Sequence, residues 1–332
     1  MPRILLTQAI HPQAERQLAA LGEVVIAADT QSGTLRDAAR GCAVIVVRAP
    51  LPDDIFAAAP SLLGAVRHGA GVDMIPIEAA SAGGVLVANV PGVNAQSVAE
   101  HVLLKMLQLA RRSAAMEAAL HSSAGWPAAR AVADAGFELA GRTVGIVGLG
   151  NVGRAIARVC AEGLAMRVLG FRRRGPGADL PAFIDARPAL DELLAHSDFI
   201  VLACPLDAQT RGLIGARELA LLRRGAHLVN VARGPVVQTE ALLDALRSGQ
   251  LAGAALDVFD TQPLPAGHPL WSMAQVLITP HVAGITDDSM RRMGEGAARA
   301  TASLLRGELP PNCINPQVLP RFVERHRQAQ RG

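Results

Sequence analysis

The chain has 332 residues, which is long enough for two domains and a sizeable core. Hydrophobic residues make up 50% of it but aromatic residues only 3%, so alanine, valine and leucine must carry the packing, as in helices layered on sheets. A net charge of +3, with no basic block interleaved with aromatic residues, gives no support for a nucleic-acid partner, and none is expected.

Over the first hundred residues, short β-branched strands alternate with helices. The expected strands are 4–6, 24–26, 44–47, 63–66 and 85–89, and the expected helices are 12–21, 35–40 and 53–59. This alternation predicts an α/β fold with an open parallel sheet of the flavodoxin-like kind. One long helix over 96–120 and an exposed arm over 122–138, without assigned structure, are expected next.

The second half repeats the alternation and predicts a second parallel sheet. The expected strands are 144–147, 167–171, 199–203, 227–231, 254–259 and 276–279. The expected helices are 190–194, 216–222, 239–246, which Thr239 would cap, and 287–305. The last of these helices is expected to run back toward the first domain.

Residues 143–158 have the pattern of a buried strand, a glycine turn and the start of a helix. Gly148 permits the sharp turn, Gly150 lets the main chain approach a pyrophosphate, and Gly153 lets the helix pack closely on the strand. The helix start, at Asn151 and Val152, offers N–H groups and a positive dipole end to phosphates. Because a second strand follows where a βαβ unit requires it, the spacing predicts a dinucleotide site.

The end of that second strand indicates which dinucleotide is bound. About twenty residues past the glycines, a carboxylate would hold the ribose 2′-OH of NAD. Arg172, Arg173 and Arg174 stand there instead, and their guanidinium groups suit the 2′-phosphate of NADP. The alternative is a solvated basic loop. The expected cofactor is therefore NADP, with NAD as the second choice.

A glycine turn follows the strand expected at 63–66. Gly69 and Gly71, with Arg67, His68 and Ala70 beside them, form a turn whose backbone N–H groups suit an anion. Ligands of parallel sheets bind beyond the carboxyl ends of the strands. The turn is therefore a candidate site for a substrate carboxylate, the alternative being a turn without a ligand.

Three polar residues follow strands of the second half, namely Arg233, Asp257 and His281. A planar guanidinium matches a 2-keto acid and polarises its carbonyl, and an imidazole titrates near neutral pH. Arg233 and His281 therefore suit the cation and the acid that hydride transfer to a keto acid needs. Taken alone, His281 is more typical of a structural histidine, but beside Arg233 and the glycine fingerprint it is a candidate proton donor.

Several ordered motifs together resemble the D-isomer-specific 2-hydroxyacid dehydrogenases. They are residues 67–73, 90–94 with 98–101, 148–153, 230–234, 255–259 and 279–284. The resemblance covers nearly the whole chain and implies two Rossmann-like domains in each subunit of a homodimer. One would be a discontinuous, flavodoxin-like substrate domain of residues 1–98 and 287–332. The other, residues 99–286, would be an NAD(P)-binding, doubly wound parallel sheet.

The resemblance also implies roles for single residues. Arg233 would bind and polarise the substrate, His281 would donate the proton, and the turn at Gly69 and Gly71 would hold the carboxylate. Asp257 would support the site near the nicotinamide. The residues that the resemblance adds to the cofactor site follow strands of the second domain and are Cys204, Pro205, Thr210, Val231, Ala232, Asp257 and Gly284.

One catalytic position departs from the family pattern. The family has a glutamate that hydrogen-bonds the histidine, and this chain has Gln262 there. A glutamine can orient the imidazole but contributes no negative charge. We therefore hypothesise that the pKa of His281 is lower than in a glutamate-bearing relative. The acid form needed for reduction would then be favoured only at lower pH.

The four cysteines show no CxxC spacing and predict free thiols in a reducing compartment; they are Cys42, Cys160, Cys204 and Cys313. No metal site, signal peptide or membrane span is expected, so we expect a cytoplasmic protein.

A second departure, Arg172 in place of the family's common aspartate, resembles the NADP-using glyoxylate and hydroxypyruvate reductases. The sequence and this resemblance together predict an NADP-preferring reductase of small 2-keto acids, of the glyoxylate or hydroxypyruvate class. Two alternatives are an NAD-linked dehydrogenase of another 2-hydroxy acid and a dinucleotide-sensing protein with little turnover.

Overall fold

The computed structural model describes residues 1–123 and 125–330. Two compact units are formed, one by Met1–Asn94 with the chain from Ile285 onward, and one by Ala95–Gly284. The first division lies before the expected boundary at 98/99 because the helix Ala95–Arg111 belongs wholly to the second unit. The second division, after Gly284, lies close to the expected boundary at 286/287. Residue 124 of the expected arm and residues 331 and 332 of the expected substrate domain lie outside the described residues.

The strands are short, and most of their residues are buried. In chain order they are β1 (Arg3–Leu6), β2 (Glu23–Ile26), β3 (Cys42–Val47), β4 (Gly64–Arg67), β5 (Leu86–Ala88), β6 (Thr143–Val147), β7 (Arg167–Phe171), β8 (Ile184–Ala186), β9 (Phe199–Leu202), β10 (Ala226–Asn230), β11 (Leu251–Leu256) and β12 (Val276–Ile278).

The helices connect successive strands and flank both sheets. In chain order they are α1 (Pro12–Ala19), α2 (Ser32–Ala39), α3 (Ile55–Ala58), α4 (Ile77–Ala82), α5 (Ala95–Arg111), α6 (Ser113–Leu120), α7 (Gly125–Ala133), α8 (Asn151–Arg158), α9 (Leu190–Ala195), α10 (Ala216–Leu221), α11 (Thr239–Arg247), α12 (Asp287–Leu305) and α13 (Leu319–Ala329). In the described ranges, no helix is both long and apolar enough to cross a membrane.

The first unit contains a parallel sheet in the order β2-β1-β3-β4-β5, which confirms the flavodoxin-like arrangement. Apolar runs such as Val44–Val47 are buried because helices cover both faces of the sheet. Leu304 and Phe322, from α12 and α13, pack with α1 on one face. Leu35 and Ile55, from α2 and α3, belong to the core on the other face.

The second unit contains a parallel sheet in the order β12-β11-β10-β9-β6-β7-β8, which confirms the doubly wound prediction. The chain leaves β6 toward β7 on one side and later returns to β9 on the other, so the strand order reverses beside β6. Ligands of such sheets bind at this reversal, beyond the carboxyl ends of the strands. Val102 and Ile156, from α5 and α8, pack on one face, and Leu219 and Leu243, from α10 and α11, pack on the other.

The single helix expected over 96–120 is wrong. Arg112 adopts the left-handed conformation (φ 51°), so α5 ends before it and α6 begins after it. Helix α5 buries a face that includes Val102 and Met106, whereas α6, all of which is described, buries none of its residues. The apolar residues thus continue at helical spacing from α5 into α6, although only α5 packs against the core. For this reason the sequence pattern predicts one helix where there are two.

Two further differences concern local structure. Thr239 is the first residue of α11 rather than its cap, and its hydroxyl donates to the Asp260 carboxylate. The sequence also does not predict β8, α4, α7 or α13. Helix α7 lies within the expected arm, where Gly125 and Pro127 point to a loop and the burial of Ala129 cannot be anticipated.

Candidate active site

The glycine turn after β6 is tightly packed at Gly148 and Gly153 and open at Gly150. A Cβ added to Gly148, which has φ +101°, would lie 2.6 Å from the Cys204 nitrogen. A Cβ added to Gly153 would lie 1.9 Å from the Gly148 carbonyl oxygen, so neither position accepts a side chain. A Cβ added to Gly150 would meet nothing within 4 Å. Open space therefore lies where a pyrophosphate would approach the first turn of α8, at Asn151 and Val152.

A cavity of about 620 Å³ lies beside this turn, where the strand order reverses. Its lining includes Gly150, Arg172–Arg174 and the Cys204–Pro205 pair, together with apolar side chains such as Phe171 and Leu213. An apolar wall beside a glycine turn and a row of arginines fits the adenosine half of a dinucleotide.

Internal hydrogen bonds fix the loop after β9, which forms one wall of the cavity. The Thr210 hydroxyl donates to the Pro205 carbonyl (2.7 Å) and accepts from the Asp207 N–H (2.8 Å). Burial raises the pKa of the neighbouring Cys204 thiol to about 11, so this thiol is neutral. Thr210 and Cys204 therefore shape the wall.

Each of the three arginines after β7 has an acidic partner. Arg172 Nη1 lies 2.8 Å from the Asp179 carboxylate, and Arg173 Nη2 lies 2.6 Å from the Asp207 carboxylate. Arg174 is 3.8 Å from Asp179, and its side chain remains 73% exposed. The basic loop that the sequence predicts is thus partly neutralised by acids of the same unit.

Asp257 follows β11 and is buried, with 3% of the residue exposed. Its carboxylate accepts hydrogen bonds from the Thr279 hydroxyl (2.6 Å) and from the N–H groups of Val282 and Ala283 (both 2.9 Å). Bonds from three donors to one carboxylate hold the turn after β12 against β11. Asp257 therefore fixes the turn that carries His281.

Helix α5 places two more titratable side chains near Asp257. His101 Nε2 lies 3.3 Å from Thr279 Oγ1 and 4.0 Å from the Asp257 carboxylate. Burial lowers the pKa of His101, and the charge of Asp257 opposes that shift. Lys105 donates to the Gln108 side chain (3.2 Å), and burial lowers its pKa as well. The carboxylate thus lies near a histidine and a lysine of α5 in addition to its donors in the turn.

The side chain of Gln262 orients the His281 ring. His281 Nδ1 lies 3.1 Å from Gln262 Oε1, while Gln262 Nε2 donates to the Phe259 carbonyl (3.3 Å). Since the amide nitrogen is used on Phe259, the amide oxygen faces the ring and Nδ1 must carry a proton. The proton that the ring exchanges is therefore the one at Nε2. The backbone of His281 is left-handed (φ 56°), and its N–H donates to the Asp257 carbonyl (2.8 Å).

Arg233 follows β10 in a loop that Asn230 fixes. Asn230 Nδ2 donates to the Arg233 carbonyl (3.1 Å), and Asn230 Oδ1 accepts from the Ala232 N–H (3.0 Å). The guanidinium donates from Nη1 to the Ala232 carbonyl (2.7 Å). A Cβ added to Gly234 would lie 2.0 Å from the Phe259 carbonyl carbon, so this loop presses directly on the loop after β11. The loops that carry Arg233 and His281 are thus joined through Phe259.

The remaining cofactor candidates are backbone positions of the second unit. Val231 and Ala232 lie in the loop after β10, and Gly284 ends the turn after β12.

The Arg67–Gly71 turn belongs to the first unit, where Arg67 braces the turn itself. Its Nε donates to the Gly71 carbonyl (2.9 Å), and its Nη1 donates to the Val47 and His68 carbonyls (2.9 and 2.6 Å). The Gly69 N–H donates to the Arg67 carbonyl (3.0 Å). An anion at this turn would therefore be left to the N–H groups of Ala70 and Gly71.

His68 is buried beneath the turn, with 2% of the residue exposed. Burial, together with the charges of Arg48 and Arg67, lowers its pKa to about 3. Its Nε2 has no hydrogen-bond partner within the described ranges. The ring is therefore neutral near pH 7 and offers no charge to a substrate carboxylate.

Comparison with known proteins identifies the family. Residues 103–283 match the family model described as the NAD-binding domain of D-isomer specific 2-hydroxyacid dehydrogenases. The chain belongs to the D-isomer-specific 2-hydroxyacid dehydrogenase family. A glyoxylate reductase of Thermococcus onnurineus is 40% identical to it over 272 residues, which is 80% of each chain.

Solved structures of other 2-hydroxyacid dehydrogenases resemble the whole chain. One is the NADPH-dependent glyoxylate/hydroxypyruvate reductase of Sinorhizobium meliloti in complex with NADP and malonate (TM-score 0.81, 28% identity, 94% of this chain and 96% of that one). Another is the D-mandelate dehydrogenase of Rhodotorula graminis (TM-score 0.84, 25% identity, 94% and 97%). The protein is thus an NAD(P)-dependent oxidoreductase that transfers a hydride between the nicotinamide and a small 2-keto or 2-hydroxy acid.

Sequence reasoning missed several residues that fix the site of this dehydrogenase. Asn230 and Thr279 occur inside the family motifs, but the motifs do not show that the Asn230 side chain bonds the Arg233 carbonyl or that the Thr279 hydroxyl bonds Asp257 of the neighbouring strand end. Asp179 lies outside the glycine fingerprint and every other motif, and it meets Arg154 of α8 because the loop after β7 folds back over that helix. The one available signal is an acid five residues after the arginine run.

Proposed function

We propose that this dehydrogenase is an NADP(H)-preferring reductase of small 2-keto acids, with glyoxylate and hydroxypyruvate as the substrate class. The proposal rests above all on the His281 ring, which Gln262 holds by Nδ1 at the same sheet edge as Arg233. The preference for NADP(H) is supported by Arg172–Arg174, which stand where an acid would bind the NAD ribose. Relatives named as glyoxylate reductases, and one solved with NADP, support the same assignment.

Arg233 carries the binding and polarising role. Its planar fork would contact the keto-acid oxygens and stabilise the negative charge that develops on the carbonyl oxygen. The nicotinamide, when bound, supplies the hydride that adds to C2. The Ala232 carbonyl accepts from the guanidinium, and Asn230 fixes the backbone of the loop that carries it, which reduces the entropy lost on binding.

His281 would supply the proton. Reduction places a hydride on C2 and requires a proton on the carbonyl oxygen, and the protonated ring would donate it from Nε2. Gln262 accepts from Nδ1–H in both the neutral and the charged ring, so the ring keeps its orientation through the transfer. A buried Asp257 keeps the supporting turn in place.

We assign the substrate carboxylate to the turn of the first unit, at Ala70 and Gly71, and the cofactor to the second unit. The assignment is supported by the bracing of that turn by Arg67, and by the family match, which covers residues 103–283 of the second unit.

We further propose that the enzyme is a cytoplasmic homodimer. Helices α5–α7 expose large apolar side chains that a second copy would cover, namely Leu104 (50% exposed), Leu107 (38%), Leu120 (47%) and Trp126 (76%). The four free cysteines suit a reducing compartment. Sedimentation equilibrium and cell fractionation test these two expectations.

A substrate and cofactor panel tests the proposed activity. Oxidation of NADPH and NADH is followed with glyoxylate, hydroxypyruvate, pyruvate and a bulkier keto acid. We expect kcat/KM to be at least about tenfold higher with NADPH than with NADH, because one contact of about 1.4 kcal/mol gives that ratio. Among the acids, we expect kcat/KM to be highest for glyoxylate and hydroxypyruvate. A preference for NADH would contradict the cofactor assignment. Tight NADPH binding with no turnover on any acid would instead indicate a sensor.

A further inference from the structure

The acid that holds the arginine loop together is Asp179. Its carboxylate receives Arg172 Nη1 at 2.8 Å and Nη2 at 2.5 Å, and it also receives Arg154 Nη2 at 2.6 Å. Arg154 donates from Nη1 to the Asp179 carbonyl (2.8 Å) and from Nε to the Leu149 carbonyl (3.0 Å) in the glycine turn. One carboxylate therefore joins the loop after β7 to the phosphate-binding turn.

The loop is shaped around this contact. Arg172 Nε donates to the Gly175 carbonyl (2.7 Å), so all three nitrogens of its guanidinium are engaged, and only 10% of its side chain is exposed. A Cβ added to Gly177 would lie 2.3 Å from Arg172 Nη2 and 2.8 Å from the Asp179 carboxylate. The backbone at Gly177 thus lies directly against both Arg172 and Asp179.

The direction in which the Arg172 guanidinium points determines whether its N–H groups can reach a ligand in the cavity. Arg172, Arg173 and Arg174 all line the cavity, whereas Asp179, among the described residues, is not part of that lining. Asp179 therefore draws the hydrogen-bonding edge of Arg172 toward the loop interior. Hydrogen bonds from the two arginines lower the pKa of Asp179 well below its usual range, so the carboxylate is ionised at neutral pH.

We propose that Asp179 is a specificity-determining residue, an internal anion that competes with the 2′-phosphate of NADP(H) for the fork of Arg172. This inference rests on the proposed preference for NADP(H) and deepens it. A 2′-phosphate entering the cavity meets the exposed Arg174 first and gains the bidentate contact of Arg172 only by displacing Asp179. The 2′-hydroxyl of NAD(H) carries no charge and does not compete. Asp179 thus narrows the difference in affinity between the two cofactors.

Asp179→Asn tests the proposal because it removes the charge and keeps the shape. The dissociation constants of NADPH and NADH are measured by titration calorimetry, with 2′-AMP and 5′-AMP as probes of the adenosine site alone. We expect NADPH and 2′-AMP to bind about three- to tenfold more tightly to the variant, and NADH and 5′-AMP to change less than about twofold. Asp179→Ser provides a smaller uncharged side chain if the asparagine variant unfolds.

Asp191→Asn is the matched control. Asp191 forms a similar arginine pair with Arg217 in the same unit, and its side chain is equally 50% exposed. Its loss changes the net charge by the same amount and is expected to leave all four dissociation constants within about twofold.

Three results would overturn the proposal. They are unchanged NADPH binding in Asp179→Asn, equal weakening of both cofactors, and selective weakening of NADH, which would make Asp179 a ligand of the NAD ribose. The wild-type ratio of NADPH to NADH affinity tests the proposed function separately. A wild type that favours NADH, with a variant that shifts toward NADPH, would refute the cofactor preference and retain the role of Asp179.

Discussion

At the scale of single residues, the site is distinguished by an amide where a carboxylate is expected. Gln262 donates to the Phe259 carbonyl and accepts from His281 Nδ1, so it fixes the tautomer as a carboxylate would. It places no negative charge beside the ring, however, and an imidazolium ion is stabilised by such a charge. A glutamate would both orient the ring and stabilise its positive charge, whereas Gln262 only orients the ring.

Gln262→Glu is therefore expected to raise the pKa of His281 by about one unit. Reduction needs the protonated ring and falls off as the pH rises through its pKa. The pH at which kcat/KM for keto-acid reduction declines should move upward by about the same amount. Rate profiles from pH 5 to pH 9 for the wild type and the variant measure this shift.

Gln328→Glu is the control for that experiment, because it adds the same charge at an exposed position of the first unit. Its profile should match that of the wild type. Superimposable profiles for Gln262→Glu and the wild type would show that the missing charge has no effect on the proton donor.

The sequence could predict those site residues that lie inside the family motifs. The family resemblance implies the pairing of Gln262 with His281, and the structure has the two side chains in contact. Asp179 could not be found in this way, because its partners come from another helix and from a loop closed by Gly177. The sequence also does not reveal that Arg67 braces its turn, because the guanidinium donates to backbone carbonyls, which any residue could supply.

At the scale of elements, two glycines of the turn before α8 have different roles, one in packing and one in the proposed approach of the cofactor. Gly153 is needed for packing, since its Cβ would overlap the Gly148 carbonyl oxygen. Gly150 has an ordinary φ of −77°, and the space that a side-chain carbon would take at this position is open. Packing therefore does not require a glycine at this position, which agrees with the proposed approach of the cofactor.

A pair of alanine substitutions tests that separation. Gly153→Ala should lower the free energy of unfolding by about 2–3 kcal/mol, because backbone must shift to admit the methyl group. Gly150→Ala should leave the unfolding free energy within about 0.5 kcal/mol and weaken NADPH binding at least about tenfold. Urea unfolding and calorimetry measure the two effects. Equal losses of stability in both variants would contradict this division of roles.

The predicted elements were most accurate where packing and local pattern agree. Strands β3 and β6 are continuous apolar runs covered on both faces, and their positions follow from sequence. The break at Arg112 does not, because it depends on where α5 leaves the core rather than on the residues themselves. The sequence also does not predict helix α13, because its buried side chains are Phe322 and His326 and most of its other residues are polar.

At the scale of the whole molecule, each of the two units carries its own candidate site. The first unit has the turn that Arg67 braces, and the second has a glycine turn, an arginine-lined cavity and the two loops that carry Arg233 and His281. The parallel class of both sheets, flavodoxin-like in the first unit and doubly wound in the second, could be predicted from the alternation of strands and helices together with the family resemblance. The partners of the arginine loop could not, because they depend on how loops of one unit close on each other.

The most direct test is kcat/KM for glyoxylate reduction at saturating NADPH in Arg233→Lys. Lysine keeps the charge but loses the planar fork, so we expect a fall of about 100- to 1,000-fold. Arg224→Lys, which alters an exposed arginine that likewise donates to a backbone carbonyl, should stay within about twofold of the wild type. A value for Arg233→Lys within about threefold of the wild type would contradict the account of this site.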